Sequence, residues 1–268
     1  MPNSKARTGP TTNGPKLSLL STFRSVIVSV GTHALCVMAA TCVIADSLAA
    51  SPRVGVVLGL YVSDPHFDYG RSIDEIGSLG IRDVLVLVPI DQASVGSSAV
   101  VPVPESMLRR LEVVLDQARR RGIDTGVIPI VSLQELGPGK WRGTLEPPSW
   151  PAWFAGYRAE IRKIATIAAQ EDATLLSVGS ELYSSEQHEE LWARLIAEVR
   201  AVFPGKLTYS ANWDHLPTAT FVSLLDLAGL NAYYEPLCEG QSGSDAAYAE
   251  AWRRIRSETI DPWQRAHG

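Results

Sequence analysis

From Arg53 onward the chain alternates between two textures, and this alternation restricts the possible folds more than any other feature. Six short apolar runs, VGVVLGLY (54–61), VLVLVPI (84–90), TGVIPIV (125–131), LLSVGSE (175–181), LTYSANW (207–213) and DLAGLNAYY (226–234), suit strands buried on both faces. Amphipathic helices lie between them. In PESMLRRLEVVLDQARRRG (104–122), Met107, Leu108, Leu111, Val114, Leu115 and Ala118 recur at helical spacing, and Gly122 stands where a C-cap is wanted. Segments 153–170 and 186–203 carry the same stripe, the second followed by Pro204-Gly205. Six strand-then-helix units in this order call for parallel strands joined by right-handed crossovers.

Two α/β architectures meet that demand. A doubly wound sheet usually places a glycine-rich turn straight after an early strand, and here the first turn reads SDPHFDYG. The glycines of GPGKWRG (137–143) sit in a long loop and open no helix, so they do not form a phosphate cradle. A barrel fits better. Eight units normally need about 250 residues, whereas 218 follow residue 50. The expectation is therefore an incomplete (β/α)8 TIM barrel, with about six of eight units, spanning residues 51–268.

The preceding fifty residues have a different character. Residues 1–24 form a basic region without apolar period, with Lys5, Arg7, Lys16 and Arg24, and read as disordered at the start. Segment 25–45 is then free of formal charge and leads into small residues up to Ala50. Basic flank, apolar segment and small residues in that order are an export signal, cleaved near Ala49 or Ala50; the length of the apolar part also suits an uncleaved membrane anchor. Residues 25–50 are thus a signal peptide or anchor, and the folded part is expected outside the cell or in the periplasm, free or anchored.

The leader carries about +3 of charge, leaving about −8 on the remainder from the overall −5, which argues against a nucleic-acid partner. Cys36 and Cys42 lie in the leader. Cys238 is the only cysteine after residue 50, so that part has no internal disulfide or cysteine-based zinc site. His188, His215 and His267 lack metal-ligand spacing, and no cofactor is expected.

In barrels of this type, function collects at the C-terminal ends of the strands. Strand one runs into Asp64, His66, Asp68 and Tyr69, and strand two into Asp91 and Gln92. A loop with Trp141, Arg142 and Trp150 follows strand three. Strand four ends at Glu181, strand five at Asn212, Trp213 and Asp214, and strand six at Asn231, Tyr233 and Tyr234. Carboxylates, amides and aromatics along one rim suit a sugar, because aromatic faces pack on pyranose rings while polar groups fix the hydroxyls. Asp64, Asp68 and Asp91 are the residue type that caps loops. Glu186, Glu189 and Glu190 read as the solvated first turn of the fourth helix.

The segments DPHFDYG, KWRG, WFAGY, SVGSEL, LTYSANWD and LNAYY, in this order and spacing, resemble bacterial glycoside hydrolases of the clan A barrel type, in particular the glycoside hydrolase family 113 mannanase-like proteins. The resemblance spans about residues 54–268. It implies a retaining β-glycoside hydrolase acting on an oligo- or polysaccharide such as β-mannan, with Glu181 as general acid/base. Such a role needs a raised carboxyl pKa, supplied by partial burial and a negative neighbour. The resemblance also implies a sugar subsite lined by Asn212, Trp213 and Asp214, with Tyr233 or Tyr234 bonded to the nucleophile. Trp141 is a further candidate sugar contact.

The family nucleophile ends strand seven, and this sequence stops before it, so the chain alone is expected to be nearly inactive. Many clan A enzymes place asparagine before the acid/base; Ser180 stands there. A carbohydrate-binding or scaffold barrel without hydrolysis is the other reading.

Overall fold

The computed structural model describes residues 53–64, 66–214, 216, 220–237 and 243–267. The leader, with Cys36 and Cys42, lies outside these residues, as do Cys238 and His215. Among the described residues no helix is long and apolar enough to cross a membrane.

Six strands form one sheet: β1 (Gly55–Gly59), β2 (Asp83–Gln92), β3 (Asp124–Leu133), β4 (Leu175–Ser180), β5 (Lys206–Asn212) and β6 (Leu227–Asn231). Their order in space is their order in the chain, and every neighbouring pair is parallel. With helices in the crossovers, this is the curled sheet of an incomplete (β/α)8 barrel. Helix α1 (Tyr69–Ser78) follows β1, α2 (Glu105–Arg120) follows β2, α3 (Trp150–Gln170) follows β3 and α4 (Glu189–Arg200) follows β4.

Local chemistry sets several boundaries. Asp68 ends the first loop by accepting the Gly70 N–H at 2.9 Å, which starts α1 immediately after DPHF. Ser149 does the same for α3, with Pro151 in its first turn. Gly122 takes a φ of 65° just past the end of α2, where a side chain would be strained.

Two departures from the expected six-unit repeat are present. Between β5 and β6 the described residues contain only a 3-10 turn, Thr220–Leu224, in place of an amphipathic helix. After β6 the helical part is also interrupted: α5 (Asp245–Ile255) passes through a wide π turn at Arg256–Ile260 into α6 (Asp261–His267).

Alternation along the strands divides the interior into two compartments. Val84, Val86, Val88 and Ile90 of β2 and Leu207, Tyr209 and Ala211 of β5 join the large core shared with the helices. Leu87 joins a small inner cluster with Val57 and Ile128. On β5 the inner positions Thr208 and Ser210 are buried but polar.

Trp192 anchors the helix side. It is fully buried, stacks on Phe221 at 4.9 Å, meets Tyr209 edge-on at 5.3 Å and donates its indole N–H to the Ser185 carbonyl at 3.1 Å. A side chain at Gly179 would come within 2.8 Å of its ring, so β4 needs glycine there. Replacing Trp192 by alanine is expected to cost about 3–5 kcal/mol through the cavity it leaves. Urea unfolding should show this as a lower midpoint with an unchanged slope.

Candidate active site

β4 is buried at all six positions, and the chain turns sharply directly after it. Glu181 adopts a φ of 55°, a left-handed conformation that costs a non-glycine residue roughly 1–2 kcal/mol. Hydrogen bonds hold the peptides on either side. The Glu181 N–H donates to the Ser210 carbonyl at 2.8 Å, and the Leu182 N–H donates to the Tyr209 hydroxyl at 2.8 Å.

The Glu181 side chain is only 7% exposed and meets two donors. Arg142 Nη1 lies 2.6 Å from Oε2, and Asn231 Nδ2 donates to Oε1 at 2.8 Å. The same amide reaches Ser180 Oγ at 3.3 Å. Arg142 is aimed by a second bond, from Nε to the Val131 carbonyl at 3.0 Å. The tight turn that carries it is closed by the Thr144 N–H donating to the Trp141 carbonyl at 2.9 Å. Among the described residues the partners of Glu181 are thus a guanidinium and a carboxamide, the first delivered by the loop after β3.

The other candidates fall around this centre in two groups. Asn212 pairs in register with Asn231, so the ends of β5 and β6 stand side by side next to Glu181. Asn212 donates to Asp214 at 2.8 Å, and the rings of Trp213 and Tyr234 meet edge-on at 5.4 Å. Trp213 and Tyr233 are 38% and 52% exposed, as a sugar-facing surface requires. The Tyr234 hydroxyl is buried without a hydrogen-bond partner among the described residues.

Trp141 precedes Arg142 in the chain, but its ring packs over Gly143. Trp150 begins α3 and packs against Trp153 and His188. On β2, Gln92 is fully buried, accepting the Trp153 indole N–H at 2.8 Å. Glu235 is exposed.

Arg142 and Asn231 were visible in the sequence only as polar residues after strands three and six. Nothing in their spacing reveals that both converge on Glu181. Glu186 is a clearer correction. It is not part of a solvated helical turn: α4 begins at Glu189, and Glu186 is buried, accepting the Tyr209 hydroxyl at 2.8 Å. Burial pushes its carboxyl up to about 7, partly offset by the bond from Tyr209.

Among the described residues no cluster of three or more His, Cys, Asp or Glu is placed to hold a metal ion. A hollow of about 410 Å³ lies far from the rim, lined by Thr174, Arg200, Gly205, Lys206 and Asp226 at the start of β5 and its neighbours. That end of a barrel serves stability, not chemistry.

Glu186 yields a pH prediction. Its folded pKa lies above its unfolded value, so the folded state binds the extra proton, and stability falls as pH rises from about 4.5 to about 7. Glu186→Gln keeps the neutral shape and removes the titration. Relative to the native chain it should gain about 3 kcal/mol across that window, with no further change above about pH 8, in urea unfolding at a series of pH values.

The profile of glycoside hydrolase family 113 matches residues 70–261. No curated protein matches the chain by sequence. Among solved structures, it is similar to the family 113 β-mannanase AaManA from Alicyclobacillus acidocaldarius, solved with the ligand ManMIm, at 22% identity and a TM-score of 0.65, over 76% of this chain and 64% of that one. A second family 113 β-1,4-mannanase aligns at 21% identity and a TM-score of 0.61, over 76% of this chain and 65% of that protein. The chain thus spans a little under two thirds of these enzymes' length, and at such identities the structural likeness is one of fold. With the family profile covering most of its residues, the chain belongs to glycoside hydrolase family 113.

Proposed function

We propose that this chain carries the acid/base half of a retaining β-glycoside hydrolase acting on a β-linked glycan such as β-mannan, with Glu181 as the general acid/base. The observation behind this reading is a nearly buried carboxylate at the end of β4, held by Arg142 and Asn231, in a member of family 113. Two structural relatives are β-mannanases by name, which points to the glycan.

In a double displacement one carboxyl group protonates the leaving oxygen and later activates water, while a second, about 5–5.5 Å away, forms the glycosyl-enzyme bond. Each oxygen of Glu181 accepts one donor here, which leaves a second lone pair on each for a proton or a water. Trp213 and Tyr233 would offer apolar faces to the sugar, Asn212 and Asp214 would supply polar contacts beside them, and Tyr233 or Tyr234 would bond the nucleophile, the Tyr234 hydroxyl being buried. Trp141, half-buried beside Gly143, would be a further sugar contact. The second carboxylate would come from the end of a seventh strand. Export by the leader belongs to the same reading and rests on the order of basic, apolar and small residues in segment 1–50.

One observation favours a non-catalytic carbohydrate-binding barrel: the ion pair with Arg142 and the bond from Asn231 give Glu181 a structural role of its own, tying the loop after β3 and the end of β6 to the turn after β4. The two readings separate in one experiment. The chain and a form extended through units seven and eight are assayed on β-mannan, with manno-oligosaccharide binding followed by calorimetry. Hydrolysis is expected from the extended form, falling about a hundredfold or more in Glu181→Gln while binding persists. Undiminished hydrolysis by Glu181→Gln removes this residue from the mechanism; binding without turnover in every form establishes the binding barrel.

A further inference from the structure

We infer that Tyr209 and Glu186 are positioning residues for Glu181: a buried carboxyl–phenol–amide chain on the helix side of the sheet fixes the turn that aims the Glu181 side chain into the barrel mouth. This rests on the reading of Glu181 as the functional carboxylate. The links are continuous and short. The Tyr209 hydroxyl donates to the Glu186 carboxyl at 2.8 Å, and the Tyr209 hydroxyl oxygen accepts the Leu182 N–H at 2.8 Å. Leu182 is covalently next to Glu181, and its bond adds to that from the Glu181 N–H to the Ser210 carbonyl in holding the left-handed backbone there.

The phenol itself has little freedom. Tyr209 is 1% exposed, with Trp192 and Phe221 packed edge-on at 5.3 and 5.4 Å, so its oxygen is placed by a rigid aromatic layer. Phenylalanine would fill the same space. The hydroxyl is therefore explained by its two bonds, and the burial of Glu186 by the need for an acceptor at that point. A buried carboxyl is an expensive acceptor where a carbonyl would suffice for stability alone.

From β5, Tyr209 faces the Glu186 carboxyl. In its own segment the titratable neighbours along the chain are Tyr183, His188 and Glu189, and Glu186 has no ion pair among the described residues. The carboxyl thus reports its protonation mainly through Tyr209.

The test is an NMR titration of the whole isotope-labelled chain from about pH 5 to about pH 9, following the Leu182 amide and the Glu181 carboxyl carbon. The native chain should show both signals moving with a midpoint near 7, that of Glu186. Glu186→Gln, which keeps an acceptor for Tyr209 and so should fold normally, should abolish the movement. Tyr209→Phe should uncouple Glu181 from Glu186 while Glu186 still titrates. In a form active on β-mannan, Tyr209→Phe should lower kcat about tenfold or more with KM unchanged, as expected of a misaimed catalytic group.

Leu182 and Glu181 signals that ignore the titration of Glu186 overturn the inference, as does coupling that survives in Tyr209→Phe. Coupling without turnover in any form supports the positioning chain and counts only against the catalytic reading of Glu181.

Discussion

A carboxylate removed from water costs several kcal/mol unless its charge is met inside the protein, and at Glu181 that compensation ties together three separate parts of the chain. Arg142 arrives from the loop after β3, Asn231 from the end of β6, and the glutamate from the turn after β4. None of these segments is adjacent in sequence. They meet because the sheet keeps chain order, which sets the ends of β4, β5 and β6 side by side, and because the loop from β3 folds back across that end. Loss of any one donor would leave a buried charge only partly compensated, which makes the site sensitive to loop conformation in a way the core is not.

The backbone at this point is under a second constraint. A left-handed φ at Glu181 is held by bonds from its own N–H and from that of Leu182, both to β5. Strand five therefore supports the site from both compartments: its Ser210 carbonyl pins the glutamate itself, while Tyr209 on the helix side pins the following residue. The irregular pairing between β4 and β5 from Ser177 to Ser180 belongs to the same arrangement. There the Val178 carbonyl accepts the Tyr157 hydroxyl at 3.1 Å.

Hydrophobic period made the architecture legible, since every strand was marked by an apolar run and α2, α3 and α4 by their stripes. It overstated regularity where tertiary packing took over. The aromatic pair Phe221 and Trp192 covers the β5–β6 crossover where an amphipathic helix was expected, and apolar residues continuing past Asn231 lengthened β6 on paper. Glu181 could be singled out because a buried strand that stops at a carboxylate is unusual. Its partners could not, because Arg142 lies 39 residues away and Asn231 lies 50 away, and only the fold brings them together. Glu186 was misread for a related reason: beside Glu189 and Glu190 it looks like one more charge on a wet turn, and only the hydroxyl of Tyr209, 23 residues later, reveals the burial.

The two compartments of the sheet divide the work. Helix-facing side chains such as Val84, Val86, Leu207 and Tyr209 join one continuous apolar core, whereas the inner face of β5 presents Thr208 and Ser210. Polar inner positions contribute little hydrophobic stabilisation, but they lie on the same face that leads to the rim, where a polar substrate would be met. Stability is therefore concentrated outside the sheet and chemical capacity inside it. The Glu186–Tyr209–Leu182 chain is where the outer layer acts on the inner one, because a phenol anchored among core aromatics fixes a peptide whose neighbour carries the rim carboxylate. A substitution at that link can change the aim of Glu181 while leaving the apolar core almost intact, so activity and stability need not fall together there.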